Sequence, residues 1–436
     1  MRLYSSNRQS PEVSLREAVL QGLAGDSGLF MPKSIPLLAP DFFRRLPQMS
    51  VQEIAFGIIK ALMHDEIPEH DLHHIIETAL TFDAPIVELD ADLYALELFS
   101  GPTLAFKDFG ARFLAQLLQY FLQDESRKLL VLVATSGDTG SAVGHAFLNM
   151  PKTHVVLLYP SGKVSHIQEQ QLTTIGGNVT ALEVLGTFDD CQRLVKQAFL
   201  DAELNTHWIL SSANSINIAR LLPQMVYYFR AAAQVKRTDL PIVFSVPSGN
   251  FGNLTAGLIA KRMGLVVEKF VAATNANDIV PKYLCTGCFE PKPSQRTLSN
   301  AMDVGNPSNF ARMQELYPTL SAMQQDIVGV SFSDADTTAA IQELYQKYAY
   351  TTEPHGAIGY LGLRAYFQIH PRRTNGIFLA TAHPAKFADV VQPLLPVPLQ
   401  MPERLREALN KPKVAILMPN KFESLKSFLL DELTQK

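Results

Sequence analysis

Cysteine is scarce in this sequence of 436 residues, which contains three: Cys191, Cys285 and Cys288. Three cysteines do not make a disulfide framework, and this favours a reducing compartment, so we expect a cytoplasmic protein. Cys285 and Cys288 have C-x-x-C spacing, but neither a second pair nor a Cys/His partner stands at zinc-finger distance. We therefore predict no metal site.

Long apolar runs and blocks of basic residues are also missing. No apolar run approaches the roughly 18 residues needed to cross a membrane, and no apolar signal segment follows Met1. The 38 basic and 42 acidic residues leave a net charge of −4 and no basic block. We expect neither a membrane nor a nucleic acid as partner, and a small-molecule partner is favoured.

Two nucleotide-binding motifs are absent as well. The P-loop pattern G-x-x-x-x-G-K-[ST] and the dinucleotide pattern G-x-G-x-x-G do not occur. The spacings Gly137-x-x-Gly140 and Gly249-x-x-Gly252 lack the P-loop lysine and the third glycine. This argues against hydrolysis of nucleoside triphosphates and against nicotinamide chemistry.

The residues that are present indicate an α/β protein with two or three domains. The chain is 47% hydrophobic and too long for one small core. Apolar residues at three- and four-residue steps predict helices over residues 15–23, 41–46, 51–63 and 71–80. From about residue 86, short apolar strands alternate with helices, which is typical of a mostly parallel sheet.

Two strand–loop–helix units carry polar loops. The first is residues 129–134 followed by the loop 135–140, and the second is residues 242–246 followed by the loop 247–253. Such a loop presents free backbone N–H groups and the positive end of a helix dipole, which suits an anion. We interpret residues 248–253 as a phosphate-binding loop, with an ordinary glycine-rich turn as the alternative. The hydroxyls of Thr135, Ser136 and Thr139 suit a carboxylate.

Lys107 is the candidate nucleophile. It follows the apolar residues Leu104, Ala105 and Phe106 and stands at a predicted helix start. Desolvation there disfavours the ammonium form and leaves more free amine, although a lone lysine is usually a surface residue. A cofactor that carries both a phosphate and an aldehyde, namely pyridoxal phosphate, suits the lysine and the phosphate loop together.

Several blocks of sequence resemble a known family. They are residues 98–109 (LFSGPTLAFKDF), 134–140 (ATSGDTG), 212–217 (SANSIN), 246–252 (VPSGNFG), 353–355 (EPH) and 381–387 (TAHPAKF), with QGLA at 21–24 and GLFMP at 28–32. In this order the blocks resemble the tryptophan-synthase-β group of pyridoxal-phosphate enzymes and, within it, the threonine synthase family. The resemblance covers nearly the whole chain.

This resemblance implies a fold and a reaction. It implies two doubly wound α/β domains of the tryptophan-synthase-β type and a mainly helical N-terminal domain. The expected boundaries are 1–90 for the helical domain, 91–119 with 231–436 for the large cofactor domain, and 120–230 for the smaller α/β domain. The implied reaction converts O-phospho-L-homoserine and water into L-threonine and phosphate, the last step of threonine biosynthesis.

The resemblance also implies roles for individual residues. Lys107 holds the cofactor as a Schiff base and then moves protons, and Thr381 meets the pyridine nitrogen. The residues implied to bind the cofactor phosphate are Gly249, Asn250, Phe251, Gly252 and Asn253. Those implied to bind the substrate are Thr103, Thr135, Ser136 and Thr139.

Some roles stay open at this stage. Candidate ligands of the substrate phosphate are Ser100, Thr103, Arg112 and Arg220. Asp138 stands where many relatives have an asparagine against the cofactor's phenolate oxygen, which a carboxylate would repel. The roles of His355 and His383 are undecided, and so is the oligomeric state, monomer or homodimer. Two other functions remain: a dehydratase or phospho-lyase that releases a 2-oxo acid, and a binding protein without catalysis.

Overall fold

The computed structural model describes residues 1–371 and 373–433. Its strands are β1 (Arg2–Ser5), β2 (Val13–Ser14), β3 (Phe30–Pro32), β4 (Ile86–Asp90), β5 (Leu93–Glu97), β6 (Leu129–Ala134), β7 (Thr153–Pro160), β8 (Val179–Leu185), β9 (Ile209–Ser212), β10 (Ile242–Pro247), β11 (Lys269–Thr274), β12 (Ile327–Ser331), β13 (Asn375–Ala380) and β14 (Ile416–Pro419). They form three separate sheets, and each sheet belongs to a different part of the architecture.

Helices separate most of these strands along the chain. They are α1 (Leu15–Gln21), α2 (Pro40–Arg45), α3 (Val51–Met63), α4 (Glu69–Ala79), α5 (Lys107–Phe121), α6 (Asp138–Ala146), α7 (His166–Thr173), α8 (Phe188–Leu200), α9 (Ala202–His207), α10 (Ile218–Leu221), α11 (Gln224–Gln234), α12 (Gly252–Arg262), α13 (Ile279–Thr286), α14 (Phe310–Leu316), α15 (Leu320–Asp326), α16 (Asp334–Tyr348), α17 (Pro354–Ile369), α18 (Ala388–Val391), α19 (Glu403–Leu409) and α20 (Phe422–Ser427). Single turns of other helix types lie at Leu46–Gln48, His64–Glu66, Asn300–Met302, Pro384–Phe387, Gln392–Leu394 and Phe428–Glu432.

The N-terminal part is mainly helical, as the sequence predicts. The helices α1 to α4 confirm the four predicted segments to within two residues at most ends. Capping boxes at Ser14 with Glu17 and at Ser50 with Glu53 begin α1 and α3. A small antiparallel sheet of order β2-β1-β3 was not predicted, because strands of two to four residues are too short to display alternation.

The largest sheet has the order β12-β11-β10-β13-β5-β4. All neighbouring strands are parallel except β4, which runs antiparallel to β5 at the edge. Its central strands β10 and β13 are buried along their whole length, which explains their continuous apolar runs. This sheet contains the predicted unit of β10, a polar loop and α12.

A second parallel sheet has the order β14-β8-β7-β6-β9. Every residue of β6 is buried, and α6 follows after the loop 135–137, so the other predicted strand–loop–helix unit is also present. The two parallel sheets with helices between their strands define an α/β fold.

The division into domains stays a prediction, and at two places the structure differs from it. Strand β4 lies inside the range 1–90 but pairs with β5 in the largest sheet. Strand β14 lies inside the range 231–436 but pairs with β8 in the five-stranded sheet. Sequence distance hides the second pairing, because β14 reaches β8 only after the chain has completed the largest sheet.

None of the helices in the two described ranges is long and apolar enough to cross a membrane.

Burial in the largest sheet predicts that two leucine-to-alanine substitutions differ clearly in their effect on stability. Leu379 is 0% exposed in β13, with β10 and β5 on either side, whereas Leu37 is 77% exposed. We expect Leu379→Ala to lower the free energy of unfolding by about 3 kcal/mol, because it removes buried methyl groups and leaves a cavity. Leu37→Ala should change it by under about 0.5 kcal/mol in urea unfolding. Equal losses in the two variants would contradict this burial.

Candidate active site

Lys107 begins α5, after a loop that leaves the carboxyl end of β5. Backbone hydrogen bonds tie this loop to the segment after β13: Phe106 N donates to Thr381 O at 2.8 Å, and His383 N donates to Leu104 O at 3.0 Å. Leu104 takes a positive φ of 59°. The lysine is thereby held at a fixed place beside Thr381.

Parallel pairing brings three of the predicted site segments to one edge of the largest sheet. In the order β10-β13-β5, Ser245 pairs with Phe378, and Ala380 pairs with Glu97. The loop 248–253, Thr381 and the loop before Lys107 follow the carboxyl ends of these three adjacent strands. Parallel α/β sheets bind ligands at this edge.

The environment of Lys107 favours the free amine. Burial, partly opposed by the charge of Asp138 and reinforced by the charges of Arg220 and Lys386, lowers the pKa of Lys107 to about 8. At pH 7 about one molecule in ten then has a neutral amine, against about one in three thousand for an ordinary lysine. Lys107 is therefore suited to attack an aldehyde and to accept protons.

Asp138 is held by protein partners. Lys386 Nζ lies 2.7 Å from Asp138 Oδ1, and Gln168 Nε2 donates to the same oxygen at 3.0 Å. Burial by itself would raise the pKa of Asp138, but the charges of Lys386 and Lys107 outweigh burial and hold that pKa below its usual range. The carboxylate is thus ionised and neutralised by a lysine, which removes the expected repulsion of a phenolate.

The loop 248–253 has the geometry of an anion site. Phe251 takes a left-handed φ of 59°, and α12 starts at the next residue, so N–H groups of the first turn are free of helical partners. Two buried side-chain donors, Asn253 Nδ2 and Asn309 Nδ2, have no partner among the described residues. A phosphate accepts hydrogen bonds from both kinds of donor.

Neighbouring segments fix the shape of this loop. Gly249 is required because a Cβ there would lie 2.6 Å from Met302 Cα. The Asn250 side chain donates to Ser215 Oγ at 2.5 Å and accepts from Ser308 N at 2.6 Å. Of the five predicted cofactor-phosphate residues, Asn250 therefore uses its side chain for the loop itself and offers only its backbone.

A buried arginine lies under the same region. Arg312 is 0% exposed, and its guanidinium donates to Asn309 Oδ1 at 2.7 Å and to Ile216 O at 2.7 Å. Burial lowers its pKa to about 9. Among the described residues no carboxylate pairs with it, so it adds positive potential near the orphan donor of Asn309.

Thr381 is part of a hydrogen-bonded chain that ends on a histidine. Thr381 Oγ1 and Thr381 N each lie 3.2 Å from Glu353 Oε1, and the other oxygen, Oε2, lies 2.6 Å from His355 Nδ1. His355 Nε2 accepts from Ala301 N at 3.2 Å, which leaves the ring proton on Nδ1. The hydroxyl proton of Thr381 therefore points to Glu353, and its lone pairs remain for a ligand.

Two of the predicted substrate residues use their hydroxyls within the protein. Thr103 is 0% exposed, and its hydroxyl donates to Asp108 Oδ1 at 2.7 Å. Thr135 Oγ1 accepts from Gly137 N at 3.0 Å and from Gly140 N at 2.8 Å. The roles of Thr103 and Thr135 in substrate binding stay predictions, and in this structure their hydroxyls bind Asp108 and the backbone of residues 137–140. Ser136 and Thr139 are half-buried at the predicted place.

The four candidate ligands of the substrate phosphate have different surroundings. Arg112 donates from Nε to Ala79 O at 2.7 Å and from Nη2 to Thr78 O at 2.6 Å, so it caps α4. Ser100 is exposed, and Thr103 is bound to Asp108. Arg220 is 4% exposed, its Nε has no partner among the described residues, and burial lowers its pKa to about 10. Arg220 is the remaining candidate.

His383 does not have the surroundings of a general base. Its Nδ1 accepts from Ala385 N at 3.1 Å, and its ring packs edge-on against Phe99. Burial, reinforced by the charge of Lys386, lowers the pKa of His383 to about 4. The imidazole is therefore neutral at pH 7 and caps the turn Pro384–Phe387.

Sequence reasoning missed four residues that line or support this site: Lys386, Glu353, Asn309 and Arg312. Glu353 and Lys386 stand inside the blocks 353–355 and 381–387, so their position was visible, although their partners were not. Asn309 and Arg312 lie outside every block, and only the packing of α14 brings them to the loop 248–253.

Comparison with known proteins agrees with this geometry. A family model described as pyridoxal-phosphate dependent enzyme matches residues 73–375. Models for the threonine synthase N terminus and C-terminal region match residues 2–80 and 356–429. The chain is thus a member of the pyridoxal-phosphate-dependent enzymes.

Similar full-length proteins identify the family within this class. The chain is 46% identical to threonine synthase of Haemophilus influenzae over 431 residues, covering 99% of this chain and 100% of the relative. The crystal structure of threonine synthase from Escherichia coli is 44% identical, with a TM-score of 0.91 and coverage of 99% and 100%. A pyridoxal-phosphate-bound threonine synthase from Brucella melitensis is 35% identical, with a TM-score of 0.92 and coverage of 98% of each chain. The chain belongs to the threonine synthase family.

The position of Glu353 predicts a large effect of a small change. Each carboxylate oxygen accepts at least two donors, so the amide of Glu353→Gln must point its NH₂ group at two donors. We expect a loss of about 2–3 kcal/mol in the free energy of unfolding, since hydrogen bonds to a buried charge are broken.

Glu343→Gln is the matched control, because Glu343 pairs with Arg364 at the surface and should lose under about 1 kcal/mol. Urea unfolding measures both variants. Losses of the same size would show that Glu353 is no more important to the fold than a surface carboxylate.

Proposed function

We propose that this protein converts O-phospho-L-homoserine and water into L-threonine and phosphate with pyridoxal phosphate as cofactor. One observation carries the proposal: besides the lowered-pKa amine of Lys107, the described residues hold buried side-chain donors without a partner in two places. One set is Asn253 and Asn309 beside the loop 248–253, and the other is Arg220. Two donor sets suit two phosphates, one on the cofactor and one on the substrate.

The residues of the first set fit the cofactor. Backbone N–H groups of Gly249, Asn250, Phe251, Gly252 and Asn253 are proposed to bind its phosphate, with the orphan amides of Asn253 and Asn309 as further donors. Thr381 is proposed to accept from a protonated pyridine nitrogen, because its own proton points to Glu353. When bound, the cofactor delocalises the electron pairs left on substrate carbons after proton removal.

Lys107 is proposed to act twice. Its Nζ first holds the cofactor by a covalent bond to the aldehyde carbon, and the substrate amine then takes its place there. The released neutral amine removes the proton from Cα and then moves a proton at Cβ. Phosphate leaves from Cγ, a proton is added at Cγ to give the methyl group, the hydroxyl of water adds at Cβ, and a proton returns to Cα; the remaining proton leaves with the phosphate.

The second donor set is proposed to bind the substrate. Arg220 meets its phosphate through a planar guanidinium, which matches phosphate geometry. Packing holds Arg220 in place, because a Cβ on Gly110 would come within 2.8 Å of Arg220 Nε. Ser136 and Thr139 are proposed to bind the substrate carboxylate at the start of α6, and Thr135 holds that loop in shape.

The place where the protein works is also a proposal. We expect the cytoplasm, because the sequence contains only three cysteines and those at positions 285 and 288 are exposed thiols. Free thiols persist in a reducing compartment. Fractionation of cells that produce the protein tests this expectation.

Product analysis tests the reaction. Incubated with O-phospho-L-homoserine, the wild-type protein should release threonine and phosphate in equal amounts. Lys107→Ala should lower turnover by about four orders of magnitude or more, because it removes both the covalent anchor and the base. Release of 2-oxobutyrate without threonine would instead indicate a dehydratase or phospho-lyase. If added pyridoxal phosphate forms no covalent bond with the protein, a binding protein without catalysis is indicated.

A pair of arginine variants tests the substrate-phosphate site. We expect Arg220→Gln to lower kcat/KM for O-phospho-L-homoserine by about a hundredfold, since it removes a charge-assisted contact to phosphate. Arg112→Gln should lower stability through the loss of the α4 cap and leave kcat/KM of the folded enzyme near the wild-type value. Steady-state kinetics on both variants measure this difference. The opposite ranking would move the phosphate site to Arg112.

A further inference from the structure

Lys386 is a buried cation that the reaction does not require. Its side chain is 0% exposed, and its Nζ lies 2.7 Å from Asp138 Oδ1 and 2.8 Å from Thr103 O. A buried ion pair of this kind is often no more stabilising than apolar residues of the same volume, because both ions lose their hydration. The pair Asp138–Lys386 therefore calls for a reason other than stability.

The neighbour of this pair is Lys107. Within the described ranges 1–371 and 373–433, no carboxylate oxygen comes within 4.0 Å of Lys107 Nζ. Asp138 is nevertheless the one carboxylate whose charge acts on Lys107, and Lys107 acts on Asp138 in return. Oδ1 of Asp138 is bound by Lys386 Nζ and by Gln168 Nε2, which donates to it at 3.0 Å.

We infer that Lys386 is a positioning residue: by holding Asp138 in a buried ion pair, it prevents that carboxylate from capturing Lys107 as an ammonium. The inference rests on the proposed role of Lys107 as cofactor anchor and base. The Nζ of a protonated Lys107 has no lone pair with which to bond to the cofactor or to accept a proton. The neutral amine attacks the aldehyde carbon, a C=N bond forms, and the aldehyde oxygen leaves as water without any change of oxidation state.

Other charges face the same groups. Arg220 on α10 lowers the pKa of Lys107, as Lys386 does, and its side chain is buried. Lys386 also faces Asp108 on α5 and His145 on α6, together with His383 in its own segment. Lys386 is the main cause that lowers the pKa of Asp138, whereas for Asp108 it comes after the hydrogen bonds from Thr103, so Asp138 is the carboxylate whose charge depends most on Lys386.

The test uses the full chain freed of cofactor, with pyridoxal phosphate as the probe. The rate of formation of the covalent adduct is followed by visible absorbance from pH 6 to 10. After reduction, mass spectrometry of the peptide that contains Lys107 checks that the adduct is on this residue. We expect Lys386→Met to shift the pH midpoint upward by at least about one unit, which is about a tenfold slower reaction at pH 7. The acid limb of kcat for the holoenzyme should move in the same direction.

Two further variants keep the test independent of folding. Asp138→Asn alone should shift the midpoint downward, because it removes the attracting charge. In Asp138→Asn/Lys386→Met the two opposing effects vanish together, so the midpoint should return to within about half a unit of the wild-type value. Lys261→Met, which breaks the partly buried Lys261–Asp326 pair away from the site, is the control and should not move the midpoint.

The outcomes are distinguishable. An upward shift in Lys386→Met that Asp138→Asn reverses supports the inference, and the downward shift of Asp138→Asn supports it if Lys386→Met does not fold. An unchanged midpoint in all folded variants overturns it, as does a double variant displaced as far as Lys386→Met. Absence of any adduct in the wild-type chain would overturn the proposed function instead.

Discussion

The parallel pairing of β10, β13 and β5 is the constraint on which the rest of the site depends. Three neighbouring strands that run the same way must end at the same edge, so the loops after them converge although they are far apart in sequence. One loop contributes the residues proposed to bind phosphate, one contributes Thr381 and one contributes Lys107. Backbone hydrogen bonds between the segments 104–106 and 381–383 then set the position of the lysine.

Charge is distributed unevenly around this edge. Lys107, Lys386, Arg220 and Arg312 are all removed from water to a large degree, and Asp138 is the carboxylate held ionised among them. Among the described residues Arg220 and Arg312 form no salt bridge, and a buried cation without a partner is costly, so bound phosphate would offset that cost. The orphan donors Asn253 Nδ2, Asn309 Nδ2 and Arg220 Nε lead to the same conclusion from hydrogen bonding.

Sequence reasoning was most reliable where chemistry is local. The run before Lys107 and the two glycine loops could be interpreted because a strand, a loop and a helix start are neighbours in sequence. It did not show that the hydroxyls of Thr103 and Thr135 have protein partners, since those partners, Asp108 and Gly140, lie five residues away and either residue could equally have faced a ligand. Arg112 and Arg220 could not be ranked, because each lies within a helix and only packing reveals its partners.

The sequence by itself determined the α/β class, the main helices of the N-terminal part, the family and the position of the candidate lysine, because each depends on patterns or motifs within a few residues. Only the tertiary structure decided that Glu353 takes the proton of Thr381, that Lys386 neutralises Asp138, and that β14 joins the five-stranded sheet. Those contacts join residues from about 30 to about 250 positions apart, and their energies depend on burial and geometry that local patterns do not encode.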